Sequence, residues 1–175
     1  MPKICDNTSV GQIVRKGDEI ALIKRENYPQ AIALPAGHCD GDPFVKAAAK
    51  ESLEEVGIAI VRNKLVWEGR ILNSCKREGG TFHDWQVFEA EEWSGELKSG
   101  SDAREAFWAT PEKLRQFVSR TEYFVKKFGI PYVQVGDLTR KVFGDPASPV
   151  TDPEWAADPG LEFVWYFILK QAQII

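Results

Sequence analysis

Residues 34–58 constrain this chain more than any other stretch. They read Leu34-Pro-Ala-Gly-His-Cys-Asp-Gly-Asp-Pro and then run from Phe44 to a close at Lys50-Glu51-Ser52-Leu53-Glu54-Glu55-Val56-Gly57-Ile58. A turn rich in small residues feeds a helix. Asp42 is a good N-cap, and Pro43 suits a first helical position, where its missing N–H has no partner to lose. Val45, Ala48, Ala49, Leu53 and Val56 recur at three and four and predict one apolar stripe. Gly57 stands where a helix leaves through a left-handed residue. Glu51, Glu54 and Glu55 then fall on the opposite face as neighbours.

Three adjacent carboxylates repel one another. One account is a solvated acidic face, with Lys50 reaching Glu54 across a turn. The other is a hard divalent cation, which prefers carboxylate oxygens and works beside substrate phosphates. The helix alone does not choose between them; its flanks do.

With those flanks the segment resembles the Nudix hydrolase family, whose box reads Gly-x5-Glu-x7-Arg-Glu-U-x-Glu-Glu-x-Gly-U, with U a bulky aliphatic. Lys50 to Ile58 match its second half, Asp42 takes the place of the first Glu, and Gly37 supplies the leading Gly. The departures are Lys50 for Arg, Ser52 for an aliphatic, Asp42 for Glu, and a loop one residue short between Gly37 and Asp42.

The resemblance implies a diphosphate hydrolase dependent on Mg²⁺ or Mn²⁺. Glu54 and Glu55 are the implied direct ligands, with Glu51 a third ligand or a water-orienting group and the carbonyl of Ala36 or Gly37 completing the shell. Lys50 sits where the family's Arg steadies a Glu; it keeps the charge but lacks the bidentate fork. The general base is left open between Asp102, the first choice, and Glu105 or Glu96. Gly37 and His38 in the box loop are assigned to the substrate site, although a hydrated loop residue is the stronger reading of His38 from the sequence alone. Of Trp67, Trp85 and Trp93, Trp85 is the one assigned to substrate stacking, against an ordinary core role. His83, beside Asp84, is divided between pocket wall and surface.

The rest of the chain fits one domain over residues 1–175, with a C-terminal extension from about 144. Hydrophobic residues at 43% and charged residues at 27% are those of an ordinary soluble globule. A net charge of −4 argues against a broad nucleic-acid footprint. Cys5, Cys39 and Cys75 are odd in number and widely spaced, so neither a disulfide framework nor a zinc site is expected, and reduced thiols point to the cytoplasm. No membrane span or leader is expected.

Residues 1–8 read as a loose start. Strands are predicted at 9–14 and 19–24 around a turn at Gly17, then at 31–34, 58–61, 64–71, 81–90 and 106–109. Residues 91–104 read as a loop with one short strand near 95–98. Thr110 and Pro111 open a helix to about residue 120 that continues in helical style to 128, and another spans 135–143. Residues 144–160 carry four prolines and read as an irregular lid or cover. Residues 161–169 are nearly all apolar and read as a buried strand, with a sheet addition or dimer contact as the sharper role. The class is α/β. Composition allows a doubly wound or a mixed sheet; the resemblance selects a Nudix-type α/β/α sandwich with a mixed sheet between helices.

Three functions are consistent with this reading. The first is a hydrolase of a nucleoside diphosphate linked to another moiety. The second is a nucleoside triphosphate pyrophosphohydrolase. The third is a catalytically weak ligand-binding domain. The expected partner is a small nucleotide-like substrate, and the resemblance adds a homodimer.

Overall fold

The computed structural model describes residues 1–100 and 103–175. Its strands are β1 (Thr8–Ile13), β2 (Arg15–Lys16), β3 (Glu19–Arg25), β4 (Ile32–Ala33) and β5 (Ala36–Gly37), followed by helix α1 (Phe44–Val56). Then come β6 (Ile58–Ile71), β7 (His83–Gly95), β8 (Ala103–Ala109), α2 (Pro111–Phe128) and α3 (Val135–Phe143). The chain ends with a small hairpin of β9 (Gly144–Asp145) and β10 (Ser148–Pro149), then α4 (Pro153–Ala157) and α5 (Phe163–Gln171).

One sheet has the order β5-β1-β7-β6 and is mixed: β1 runs parallel to β7, while the outer pairs are antiparallel. In the other, β3 pairs with β2, β4 and β8, all antiparallel. Successive residues of a strand point to opposite faces, and β1 shows how helices cover both. Val10 packs with Ala47 and Ala48 of α1. Its neighbour Gly11 lies under the ring of Trp165 from α5. The mixed sheet is therefore sandwiched, as the α/β/α expectation required.

Several sequence expectations need correction, among them the loop read over residues 91–104, because β7 continues to Gly95, no strand covers 96–98 and β8 begins at Ala103. Helix α1 begins one residue later than read: Pro43 is its N-cap, and the Asp42 carboxylate accepts from Lys46 Nζ at 2.7 Å instead of from backbone N–H groups. Its buried side is Ala47, Ala48, Ser52, Glu55 and Val56, while Val45 and Leu53 are exposed. Ser52 stands where the family pattern has an aliphatic, and it is fully buried on the same side of the helix as Glu55.

Residues 161–169 are mostly helix, not strand. Phe163, Val164, Trp165, Tyr166, Ile168 and Leu169 are all buried, and a helix buried all round carries no amphipathic period to read. Residues 144–160 are not a loose cover, because Trp155 of α4 is wholly buried against Phe124, Phe143 and Phe163. Nor is the N-terminus loose: Cys5 is buried, and its N–H donates to Glu78 O at 2.8 Å.

Candidate functional site

Glu51 and Glu55 lie one helical turn apart and both open on a cavity of about 520 Å³. Glu55 is buried, and its Oε2 accepts the Ala36 N–H at 2.9 Å. The Glu51 carboxylate lies against Gly37: a β-carbon at that position would stand 2.2 Å from both Glu51 Cδ and Oε1. Strand β5 therefore presses its backbone onto the two carboxylates, and Gly37 is what permits the approach. Glu54 is placed differently. It is not among the cavity residues and sits on the solvent side with Lys50, 3.9 Å from the ammonium.

The cavity has a basic rim and an aromatic wall. Arg25, Lys76 and Arg77 line it. Arg25 is anchored by Glu162 and by the carbonyl of Tyr28, at 3.2 Å in each case. Arg77 makes a bidentate pair with Asp40, which holds that carboxyl well below its usual range. Trp85 and Trp165 meet edge to face with centroids 5.9 Å apart, and both line the cavity. The Trp85 Nε1–H is buried with no hydrogen-bond partner among the described residues. Such a donor is costly to leave unmade and suits a ligand acceptor. Trp67 and Trp93 lie elsewhere, packed on Phe167 and Trp108.

Gly37, His38 and Trp85, expected around the substrate, all line the cavity, as do Ala36 and His83. Asp102 lies outside the described residues. Gly100, two positions before it, donates to Glu55 O at 2.8 Å, so the chain passes the end of α1. Glu105 lines a separate depression with Lys24 and Phe117. Sequence reasoning missed Arg25, Lys76, Arg77 and Trp165. The first three are ordinary surface residue types in strand ends and loops, and Trp165 was hidden by the misread helix.

The spacing of the cysteines also concealed a grouping. Cys5, His38, Cys75 and His83 place one ligand atom each within 4.8 Å of all the others. Linear spacing gives no sign of this grouping, because the fold brings distant segments together.

The NUDIX domain model matches residues 6–128. The chain belongs to the Nudix family. It is 30% identical over 123 residues to an ADP-ribose pyrophosphatase of Methanocaldococcus jannaschii, covering 69% of this chain and 71% of that protein. A MutT Nudix hydrolase from Burkholderia pseudomallei superposes with a TM-score of 0.53 at 25% identity, over 62% of this chain and 84% of its own. A mutator MutT protein from Bacillus halodurans shares the fold, with a TM-score of 0.51 at 18% identity over 64% and 71% of the two chains. The protein is a Nudix-type pyrophosphohydrolase acting on acid anhydrides. The residues that complete its cavity from α5 lie beyond the stretch the family model matches.

The short Nudix loop is closed locally. Asp42 N–H donates to Cys39 O at 3.0 Å, and Asp40 and Gly41 between them have φ of 52° and 88°. Two positive φ values at the centre of a tight turn are the signature of type I′. The missing residue is thus absorbed by the turn, and Ala36 and Gly37 still reach α1. Nudix hydrolases use divalent metals, and the donors here suit one. Two inward carboxylates stand against the backbone of Ala36 and Gly37, and carboxylate oxygens are donors that hard divalent cations take.

No helix among the described residues is long and apolar enough to cross a membrane.

Proposed function

We propose that the protein hydrolyses the diphosphate linkage of a nucleoside diphosphate joined to a further group, with ADP-ribose as the first substrate to test. The observation that carries this reading is that Glu51 and Glu55 open on the same cavity as the paired rings of Trp85 and Trp165. One end suits a cation and a diphosphate, and the other suits a flat base or a sugar face. The Methanocaldococcus jannaschii relative supports the choice of ADP-ribose.

Glu51 and Glu55 would hold Mg²⁺ or Mn²⁺, with a carbonyl of Ala36 or Gly37 and with Glu54 as an outer donor. When bound, the cation neutralises phosphate charge and makes water more acidic. The chain's own groups do the positioning. The Ala36 N–H fixes the Glu55 carboxylate, and Gly37 seats Glu51. Arg25, Lys76 and Arg77 meet the phosphate oxygens, which is where charge builds as the linkage breaks. Trp85 donates its Nε1–H to the substrate. Lys50 steadies Glu54 from outside. Asp102 is assigned as the general base on the family resemblance. Such chemistry belongs with cytoplasmic nucleotide pools.

The alternative is a nucleoside triphosphate pyrophosphohydrolase, and the likeness to the Burkholderia pseudomallei MutT protein favours keeping it. Turnover on a panel of nucleoside diphosphate conjugates and nucleoside triphosphates, with Mg²⁺, Mn²⁺ or chelator, separates the two. We expect metal-dependent release of a nucleoside monophosphate from a conjugate. Pyrophosphate release confined to triphosphates would give the alternative. Nucleotide binding without release of either product would give a binding domain instead.

A further inference from the structure

We propose that Cys5, His38, Cys75 and His83 form a Cys₂His₂ site for Zn²⁺, with donors other than the carboxylates of α1, although His38, Cys75 and His83 border the same cavity. The four ligand atoms come from the N-terminal arm, the loop after β5, the loop between β6 and β7, and the first residue of β7. All lie within 4.8 Å of one another. Cys5 Sγ is 3.3 Å from His83 Nε2 and 3.5 Å from His38 Nε2. Zn–S and Zn–N bonds of about 2.3 and 2.0 Å at tetrahedral angles give ligand-to-ligand edges of about 3.3–3.8 Å. The cluster is thus close to the size a zinc ion would draw it to.

Three further observations point the same way. His83 Nδ1 stands 2.9 Å from Asn73 Oδ1, so Nδ1 carries the proton and Nε2 turns its lone pair toward the sulfurs. This is the outer hydrogen bond that metal-ligating imidazoles make. The Asn7 N–H points at Cys5 Sγ from 3.3 Å, a donor well placed for a thiolate. Finally, Gly80 makes room for the sulfurs: a β-carbon there would stand 2.3 Å from Cys75 Sγ and 3.1 Å from Cys5 Sγ.

Sulfur and imidazole select a softer ion than the oxygens of Glu51 and Glu55 do. Binding releases the two thiol protons to solvent and leaves a neutral centre. With four protein ligands it is closed, so its role is structural. It ties the arm and two loops to β7 and sets the position of the segment that carries Lys76 and Arg77. His38 serves this centre and not the substrate.

The test uses the whole chain, purified reduced from zinc-supplemented cells and dialysed without chelator. Elemental analysis should find about one zinc per chain. Exchange into Co²⁺ should give the intense visible bands of a tetrahedral thiolate site. A thiol reagent should reach Cys5 and Cys75 only after the metal is removed. Cys75→Ser and His83→Gln should lose the zinc, whereas Cys39→Ala, outside the cluster, should keep it. Zinc-free protein with freely reactive Cys5 and Cys75, or with the two joined as a disulfide, would overturn the proposal. Should the variants fail to fold, the wild-type metal content and cobalt spectrum decide. None of these readouts depends on turnover, so they stand or fall apart from the reading of the α1 site.

Discussion

The carboxylate of Glu51 rests on the α-carbon of Gly37, with no room for a methyl group between them. That contact joins strand β5 to helix α1 at the point where the cation is assigned. Gly37→Ala should therefore displace Glu51 without disturbing the core. A shift of about 1 Å in a positioned group costs roughly 100-fold in rate, and we expect a fall in kcat of about that size with an unchanged circular dichroism spectrum. Wild-type kcat in this variant would show that Glu51 has no positional role.

Trp85 presents a buried indole N–H with no hydrogen-bond partner among the described residues. Trp85→Phe keeps an aromatic ring and removes the donor. A neutral hydrogen bond nets about 0.5–1.5 kcal/mol, so KM should rise roughly 2- to 10-fold with kcat little changed. Thermal stability should not fall, because an unmet donor has gone. An unchanged KM would detach Trp85 from the substrate.

Trp155 is fully buried, with ring centroids of Phe124, Phe143 and Phe163 at 5.0, 5.3 and 5.2 Å, and its Nε1–H donates to Gln30 O at 3.0 Å. Trp155→Ala should cost about 3–5 kcal/mol in urea unfolding, as other large-to-small aromatic truncations do. A loss near zero would restore the picture of residues 144–160 as a loose cover.

Alkaline pH should weaken the fold through two phenols. Burial pushes Tyr28 up to about 12, and its hydroxyl donates to Gly144 O at 3.0 Å. Burial, then the Glu122 carboxylate, raises Tyr166 as well. A raised folded value means the folded chain holds the proton more tightly. That stability is complete below the ordinary tyrosine value of about 10 and is lost as pH climbs toward 12. The melting temperature of Tyr28→Phe should fall less steeply than that of the wild type above pH 10. Parallel curves would remove Tyr28 from the effect.

What the sequence disclosed follows from locality. Helix α1, its exit at Gly57 and the hairpin at Gly17 are set by near neighbours, and they form where expected but for the start of α1, which is one residue late. Helix α3 does too, because its apolar period is clean. The face of α1 was misjudged because Ser52 and Glu55 are polar yet buried, while Val45 and Leu53 are apolar yet exposed. Tertiary packing against β1 and β5 overrode the pattern there. Helix α5 was unreadable for the opposite reason: with almost every side chain buried, neither period appears. The Cys5–His38–Cys75–His83 grouping spans 78 residues between its outer members and has no linear signature at all. The pairing of the N-terminal arm with Glu78, and of β1 with both β7 and β5, brings it together.

The most direct measurement is Mg²⁺-dependent turnover of ADP-ribose by Glu51→Gln, Glu55→Gln and Glu54→Gln beside the wild type. Losing an inward cation donor removes several kcal/mol of charge stabilisation, so the first two should drop by about 100-fold or more. Glu54→Gln, on the solvent side with Lys50, should lose less than about 10-fold. Wild-type rates for Glu51→Gln and Glu55→Gln, or the largest loss at Glu54, would contradict the site described.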